Sequence, residues 1–195
     1  MSESASVIFF DAKEHSHVTP YLAAIHASCI TQDRTIATFV PPLSHDKLLS
    51  WWKERIAEVV NGVRLIFLLI KSADKSGLIR GPEIMGVVML HMPLSETGPF
   101  RCMVEKLLVH KNFRGRGGAR LLMNALEEEA FKRQRTLLLL DTESGSPAET
   151  VYRRLGYVEM GQIPNYCLSP TGELKDGTFF YKDISALAYI RMHDE

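Results

Sequence analysis

The sequence predicts one α/β (α+β) domain, a mixed central β-sheet of about six to seven strands flanked by helices. Three observations lead there. Residues 101–140 run strand, helix, strand, and a helix between two strands makes them parallel neighbours. The β-rich runs Val63 to Lys71 and Glu83 to Met92 are joined by a polar segment holding Gly77, Gly81 and Pro82, which reads as an antiparallel hairpin. A chain of 195 residues with 46% hydrophobic and 24% charged residues can bury a core without staples, and no linker or repeat divides it. The core is expected over about residues 6–182, with a helical extension over 183–195.

Charge and cysteine content exclude several functions. Lys plus Arg (23) balance Asp plus Glu (23), so no overall field draws the chain to nucleic acid or to an anionic membrane. Cys29, Cys102 and Cys167 are widely spaced, with no Cys-x-x-Cys or Cys/His cluster, so no metal is expected. The N-terminus lacks a basic start and an apolar core of signal-peptide length, and the apolar run Leu65 to Ile70 is too short to span a bilayer. A reducing, cytoplasmic setting is expected.

In chain order, Ser6 to Phe10 reads as a first strand turning at Asp11. Pro20 suits a first helical position, and Tyr21, Leu22, Ile25 and Cys29 recur at helical spacing, predicting a helix over Thr19 to Ile30 with His26 on or near its apolar stripe, read as packed and hydrogen-bonded with a substrate contact as the competing reading. Thr31 to Leu43, with Pro41 and Pro42, reads as a loop. Ser44 is an N-cap for a helix through Trp51, Trp52 and Val59 that closes at Asn61-Gly62. Adjacent tryptophans point about 100° apart on a helix, so at most one is fully buried.

Arg101 to Val109 is the next strand. The helix from Gly117 to about Gln134 turns Leu122, Ala125, Leu126 and Ala130 inward and pairs Glu128 with Lys132 and Glu129 with Arg133 on its wet face. Thr136 to Leu140 reads as a strand buried on both faces. Pro147 opens a short helix ended by Gly156. Tyr157 to Ile163 and Thr178 to Lys182 are final strands joined by a long turn holding Pro164, Pro170, Gly172 and Gly177, and Ile184 to Met192 adds a short helix.

Chemistry concentrates in residues 104–120. Arg114, Gly115, Arg116, Gly117, Gly118, Ala119 and Arg120 sit where a strand gives way to a helix. The first turn of a helix leaves N–H groups without partners at the positive end of the macrodipole, so phosphate is the natural ligand. Glycines remove the Cβ atoms that would hold a ligand off those amides. A plain Gly-rich turn or an Arg-Gly-Gly tract of the RNA-binding kind are the competing readings, but such tracts are repetitive and disordered, and this stretch occurs once between apolar elements. It matches neither a P-loop nor Gly-x-Gly-x-x-Gly.

Arg-x-x-Gly-x-Ala, here Arg114, Gly117 and Ala119, resembles the acetyl-CoA loop of the GNAT superfamily of N-acetyltransferases. Ala148, Tyr152, Gly156 and Tyr157 resemble that superfamily's downstream Ala-x-x-x-Tyr-x-x-x-Gly-(Phe/Tyr) block, in the family's order. The likeness covers about residues 60–182. A closer one, over Leu139 to Tyr181, is to bacterial members that acetylate a small amino-acid toxin.

The resemblance implies a GNAT-type sheet in which the strand ending at Val109 splays from the next strand. The pantetheine arm of acetyl-CoA would lie along Leu107, Leu108 and Val109, and the diphosphate on residues 114–120. It implies transfer to a primary amine of a small or amino-acid-like acceptor, with Tyr152 protonating or contacting the leaving sulfur and a backbone N–H near Leu108 meeting the oxyanion. Tyr166 and the 164–177 turn would help close the acceptor pocket. Glu105, taken to share side-chain parity with Leu107 and Val109, is the first candidate general base, with a salt-bridged carboxylate as the competing reading; Asp141 is the second candidate. Where the family frequently bonds the pantetheine with Asn this chain has Gly145, and Asp141, Thr142 or Ser144 are the available substitutes. Protein N-acetylation and a non-catalytic CoA sensor are the alternatives, and the chain is expected to act as a monomer or homodimer without metal, nucleic acid or membrane.

Overall fold

The structure, a computed structural model, describes residues 5–71 and 79–186. The first strand, β1 (Ala5–Phe9), is followed by a short helix α1 (Ala12–His15) that the sequence reading missed. Its signal was Asp11, whose carboxylate accepts from the N–H groups of Lys13 and Glu14 as an N-cap. Helix α2 (Thr19–Asp33) runs longer than expected and stops at Arg34 in the left-handed region. Helix α3 (His45–Val60) starts at Ser44, whose hydroxyl accepts from Lys47 N–H at 3.3 Å, and ends before Gly62 at positive φ. Trp52 is fully buried and Trp51 half-buried, as their angular separation requires.

Strands β2 (Arg64–Lys71), β3 (Ile84–His91) and β4 (Arg101–Val109) pair antiparallel in sequence, and β1 adds antiparallel to β2. Gly77, in the segment joining β2 to β3, lies outside the described residues. Helix α4 (Gly118–Lys132) then leads to β5 (Leu137–Glu143), which runs parallel to β4. Helix α5 (Pro147–Arg154) precedes the edge strand β6 (Val158–Leu168) and β7 (Leu174–Asp183), giving a seven-stranded sheet in the order β1-β2-β3-β4-β5-β7-β6.

Two cores cover the two faces. One packs Leu122, Met123 and Leu126 of α4 on Phe67, Leu69, Val88 and Leu90; the other packs Leu22, Trp52 and the rest of α2 and α3 on Ile66, Leu68, Val87 and Met89. The strands of this central hairpin are buried on both faces, which is why they read as continuous apolar runs.

Several expectations are corrected. Strand β5 alternates: Leu138 and Leu140 are buried in the core shared with α4 and Tyr152, while Leu137 and Leu139, on the opposite face, are only half-buried. The long turn between the last strands is mostly ladder, since β6 and β7 pair as far as Leu168 with Leu174. Pro164 is tolerated there because it sits on the edge strand in a break of register between Ile163 and Cys167. Glu129 pairs with both Arg133 (2.9 Å) and Lys132 (3.7 Å), taking the partner assigned to Glu128, and Glu127 is buried against Lys182 Nζ at 2.6 Å. Beyond β7, Ile184 to Ala186 form a turn; the rest of the expected helix to Met192 lies outside the described residues.

Candidate active site at the parting of two strands

Strands β4 and β5 are paired only from Arg101/Leu137 to Met103/Leu139. Beyond that point β5 continues with β7 and β4 with β3, so a V opens between them. Backbone groups on its lips face the gap rather than each other, and an amide-bearing ligand can satisfy them.

Strand β4 carries a bulge beside the V. Val87 pairs with Leu108 and Met89 with Glu105, so Lys106 and Leu107 stand opposite Val88 alone, and Lys106 has φ 54°. The extra residue reverses the side-chain parity. Cys102, Val104, Leu107 and Val109 belong to the α4 side, and Leu108 to the α2/α3 side. Glu105 therefore does not share a face with Leu107 and Val109, as unbroken alternation would require. Its carboxylate instead accepts from Arg64 Nη1 at 2.8 Å, and Arg64, 3% exposed, also holds Glu58.

At the mouth of the V lies a cleft of ≈ 980 Å³, with Leu107, Leu108 and Val109 on one wall and Thr142, Ser146 and Val151 on the other. Its floor is the start of α4. Gly117 caps the helix in the left-handed conformation (φ 80°) with no side chain bonding its amides. The first helical bond runs from Leu121 N–H to Gly117 O at 3.0 Å, so the N–H groups of Gly118, Ala119 and Arg120 have no acceptor within the helix. Gly118 is required by packing, since a Cβ there would lie 2.5 Å from Leu69 Cδ2.

Among the loop residues singled out from the sequence, Arg114, Gly115, Gly117, Gly118, Ala119 and Arg120 line the cleft; Arg116 does not. The Arg114 guanidinium is committed to the protein, donating to Val109 O at 2.7 Å and Asp33 at 2.6 Å, which ties the end of α2 to the loop. Asn124, one helical turn beyond Arg120, also faces the cleft and was not anticipated, although its i,i+4 spacing from Arg120 pointed to that face.

At Gly145, in the left-handed region at φ 76°, the N–H donates to Glu149, whose carboxylate also accepts from the Thr178 hydroxyl and Arg153. Ser144 turns to Thr178 at 2.7 Å, away from the cleft. Thr142 and Ser146, hydroxyls 3.1 Å apart, line it instead, so of the three proposed substitutes for a pantetheine-binding side chain only Thr142 is placed there; Ser146 was missed.

Tyr152 lies behind the cleft wall, 6% exposed, its ring against Tyr157 (5.8 Å) and Phe180 (5.9 Å). Burial, with the Asp141 carboxylate nearby, holds its phenol well above the ordinary value, so it is a protonated donor at neutral pH. Asp141 stands on β5 two residues past the last pair with β4. Asp141 is solvent-exposed as a residue, and partial desolvation of its carboxyl against the sheet raises it above the usual range, opposed by Lys106. Tyr166 packs edge-on to Phe179 at 4.9 Å, and Phe179 pairs with Asp141 in the sheet, so both aromatic rings border the Asp141 side.

On the opposite side, His26 Nε2 bonds Ala37 O at 2.8 Å and holds the loop after α2 against Trp51. The carbonyl only accepts, so Nε2 carries the hydrogen. Burial pushes this imidazole down to about 4. Among the described residues no cluster of His, Cys, Asp or Glu is arranged to hold a metal, and no helix is long and apolar enough to cross a membrane.

An open mixed sheet, a bulged strand parting from its parallel neighbour, and free helix amides at the parting define a class of acyl-group transferases. Residues 45–157 match the Acetyltransferase (GNAT) family, and the chain belongs to that family. Solved structures share its fold at low identity. RimL, a ribosomal alpha-N-protein acetyltransferase in complex with coenzyme A, superposes with TM-score 0.73 at 16% identity, covering 95% of this chain and 97% of that one. A protein provisionally named a phosphinothricin N-acetyltransferase gives 0.72 at 14%, covering 93% and 99%. The yncA protein of Salmonella typhimurium, with its cofactor acetyl-CoA, gives 0.67 at 18%, covering 93% and 95%.

Proposed function

We propose that the chain transfers the acetyl group of acetyl-CoA directly to a primary amine of a small, amino-acid-like acceptor. The observation that carries this reading is the coincidence of the V between β4 and β5 with the uncapped start of α4, which suits an amide-containing arm ending in a diphosphate. The thioester supplies an activated acyl carbon. The amides of Gly118, Ala119 and Arg120 receive the diphosphate, the edge of Leu107 to Val109 receives the arm, and Thr142 and Ser146 replace the missing asparagine. Arg120 adds charge; Arg114 contributes by fixing the loop.

An acceptor amine of pKa near 10 is neutral in only about one molecule in a thousand at pH 7, so a base must free its lone pair. Asp141 takes this role in preference to Glu105. It has no hydrogen-bond or ion-pair partner among the described residues, whereas Glu105 is bound to Arg64. The amine then attacks the carbonyl, an N–H on the bulged strand near Leu108 steadies the oxyanion, the C–S bond breaks as Tyr152 gives its proton to the thiolate, and the proton that the nitrogen sheds in becoming the amide restores the phenol. Tyr152→Phe is expected to lower kcat on the order of a hundredfold with little change in acetyl-CoA affinity; equal kcat removes Tyr152 from the reaction.

The choice of a small acceptor rests on the likeness of Leu139 to Tyr181 to the tabtoxin resistance protein, and a fold neighbour named for phosphinothricin is consistent with it. Acetylation of a protein N-terminus is the second reading, favoured by the RimL likeness. An acetyl-CoA consumption screen over amino acids, polyamines, aminoglycosides and short peptides separates them, and CoA binding with no turnover on any acceptor identifies a sensor instead.

A further inference from the structure

Lys106 occupies the bulge at the parting of β4 and β5, a position where φ 54° disfavours any residue but glycine or asparagine. A long cationic side chain at a strained position, beside the bond to be made, calls for an explanation. Its ammonium lies 5.8 Å from the Trp51 ring centroid and has no hydrogen-bond or ion-pair partner among the described residues. The neighbouring carboxylate on its own strand, Glu105, is engaged with Arg64, which also holds Glu58. Burial lowers the Lys106 ammonium from its ordinary value, and the negative charges of Glu105 and Asp141 oppose that shift.

Across the V, Asp141 is equally without a partner. Lys106 stands three residues beyond the last pair on β4, and Asp141 two residues beyond it on β5. The two opposite charges influence each other without meeting in an ion pair, so a gap separates them. A half-buried cation and a solvent-exposed anion held apart on opposite lips, neither paired within the described residues, complement a ligand that carries the two opposite charges a short distance apart.

We propose that Lys106 and Asp141 read the acceptor as a zwitterion, Lys106 binding the carboxylate of an α-amino acid or close analogue while Asp141 receives its ammonium for acetylation. The inference rests on the acetyltransferase reading and narrows it: the carboxylate is a requirement for good acceptors, and Lys106 is the residue that sets it. Trp51 and Phe39, 6.2 Å apart beside His26, bound the Lys106 side of the site.

The test compares each of the standard L-amino acids, ornithine and 2,4-diaminobutyrate with its own carboxamide, which keeps the amine and removes the negative charge, by CoA release. The wild-type chain is expected to favour the best acid over its carboxamide in kcat/KM by about tenfold or more, the discrimination that a charge-assisted hydrogen bond supports. Lys106→Met is expected to bring that ratio close to one, and Lys106→Arg to retain a preference for the acid. Because the wild-type comparison needs no variant, instability of Lys106→Met does not shelter the proposal. Equal or better use of carboxamides by the wild-type chain overturns it and leaves acetyl transfer to amines standing. Turnover of peptides alone overturns both this inference and the small-acceptor reading.

Discussion

Protonation of His26 offers the sharpest numerical prediction. The ring is fully buried; its Nε2–H is spent on Ala37 O and Nδ1 has no partner, so a second proton would create a buried donor with nothing to bond. The folded imidazole titrates at about 4, against 6.5 for an unperturbed histidine. Because the folded value is the lower one, the unfolded chain binds the extra proton first as pH falls. Stability from this group is intact above 6.5, declines between 6.5 and about 4, and levels off below. Linkage over that window gives a loss of about 2 kcal/mol between pH 7 and pH 5, at about 1.4 kcal/mol per unit. Urea unfolding of the wild type and of His26→Gln at both pH values isolates it, since the other histidines cancel in the difference. The pH-dependent loss should be larger in the wild type by about 2 kcal/mol. A difference near zero would refute the argument that burial, rather than the aromatic neighbours, sets the state of this ring.

Other expectations follow from the same geometry. Gly118→Val drives a side chain into Leu69 and should displace the start of α4, weakening acetyl-CoA by about tenfold or more in calorimetry while far-UV dichroism persists. Asp141→Asn should remove most of kcat, and in the wild type the acid limb of kcat/KM should lie above the pH of an ordinary aspartate, because its raised carboxyl is protonated, and unable to act as base, over a wider acid range. Arg64→Leu leaves Glu105 without a cation and Glu58 with Arg55 alone, and should cost about 3 kcal/mol in chemical denaturation.

The sheet was legible because its strands are bounded by strong punctuation. Ser44 and Gly62 frame α3, Gly117 and Pro147 open two helices, and Gly156 closes one. The glycine loop was legible for the same reason: positive φ at Gly115 and Gly117 demands that residue type. What alternation could not supply was the bulge. Cys102 and Val104 point inward, so regular alternation would send Lys106 inward next, and the polar residue at that place was the signal that the phase breaks. Missing it put Glu105 on the face of Leu107 and concealed its bond to Arg64, a partner 41 residues earlier in the chain. Arg114 shows the same limit, since charge near a phosphate loop does not reveal that the guanidinium is already tied to Asp33 on another helix.

The main-chain amides that open α4 carry the proposed function, and the most direct measurement is a nitrogen–proton correlation spectrum of the labelled chain titrated with coenzyme A. Large, saturable shifts confined chiefly to Gly117 to Leu121 and Leu107 to Val109 are the predicted result. Saturable binding that leaves those resonances in place, or no binding at millimolar coenzyme A, contradicts it.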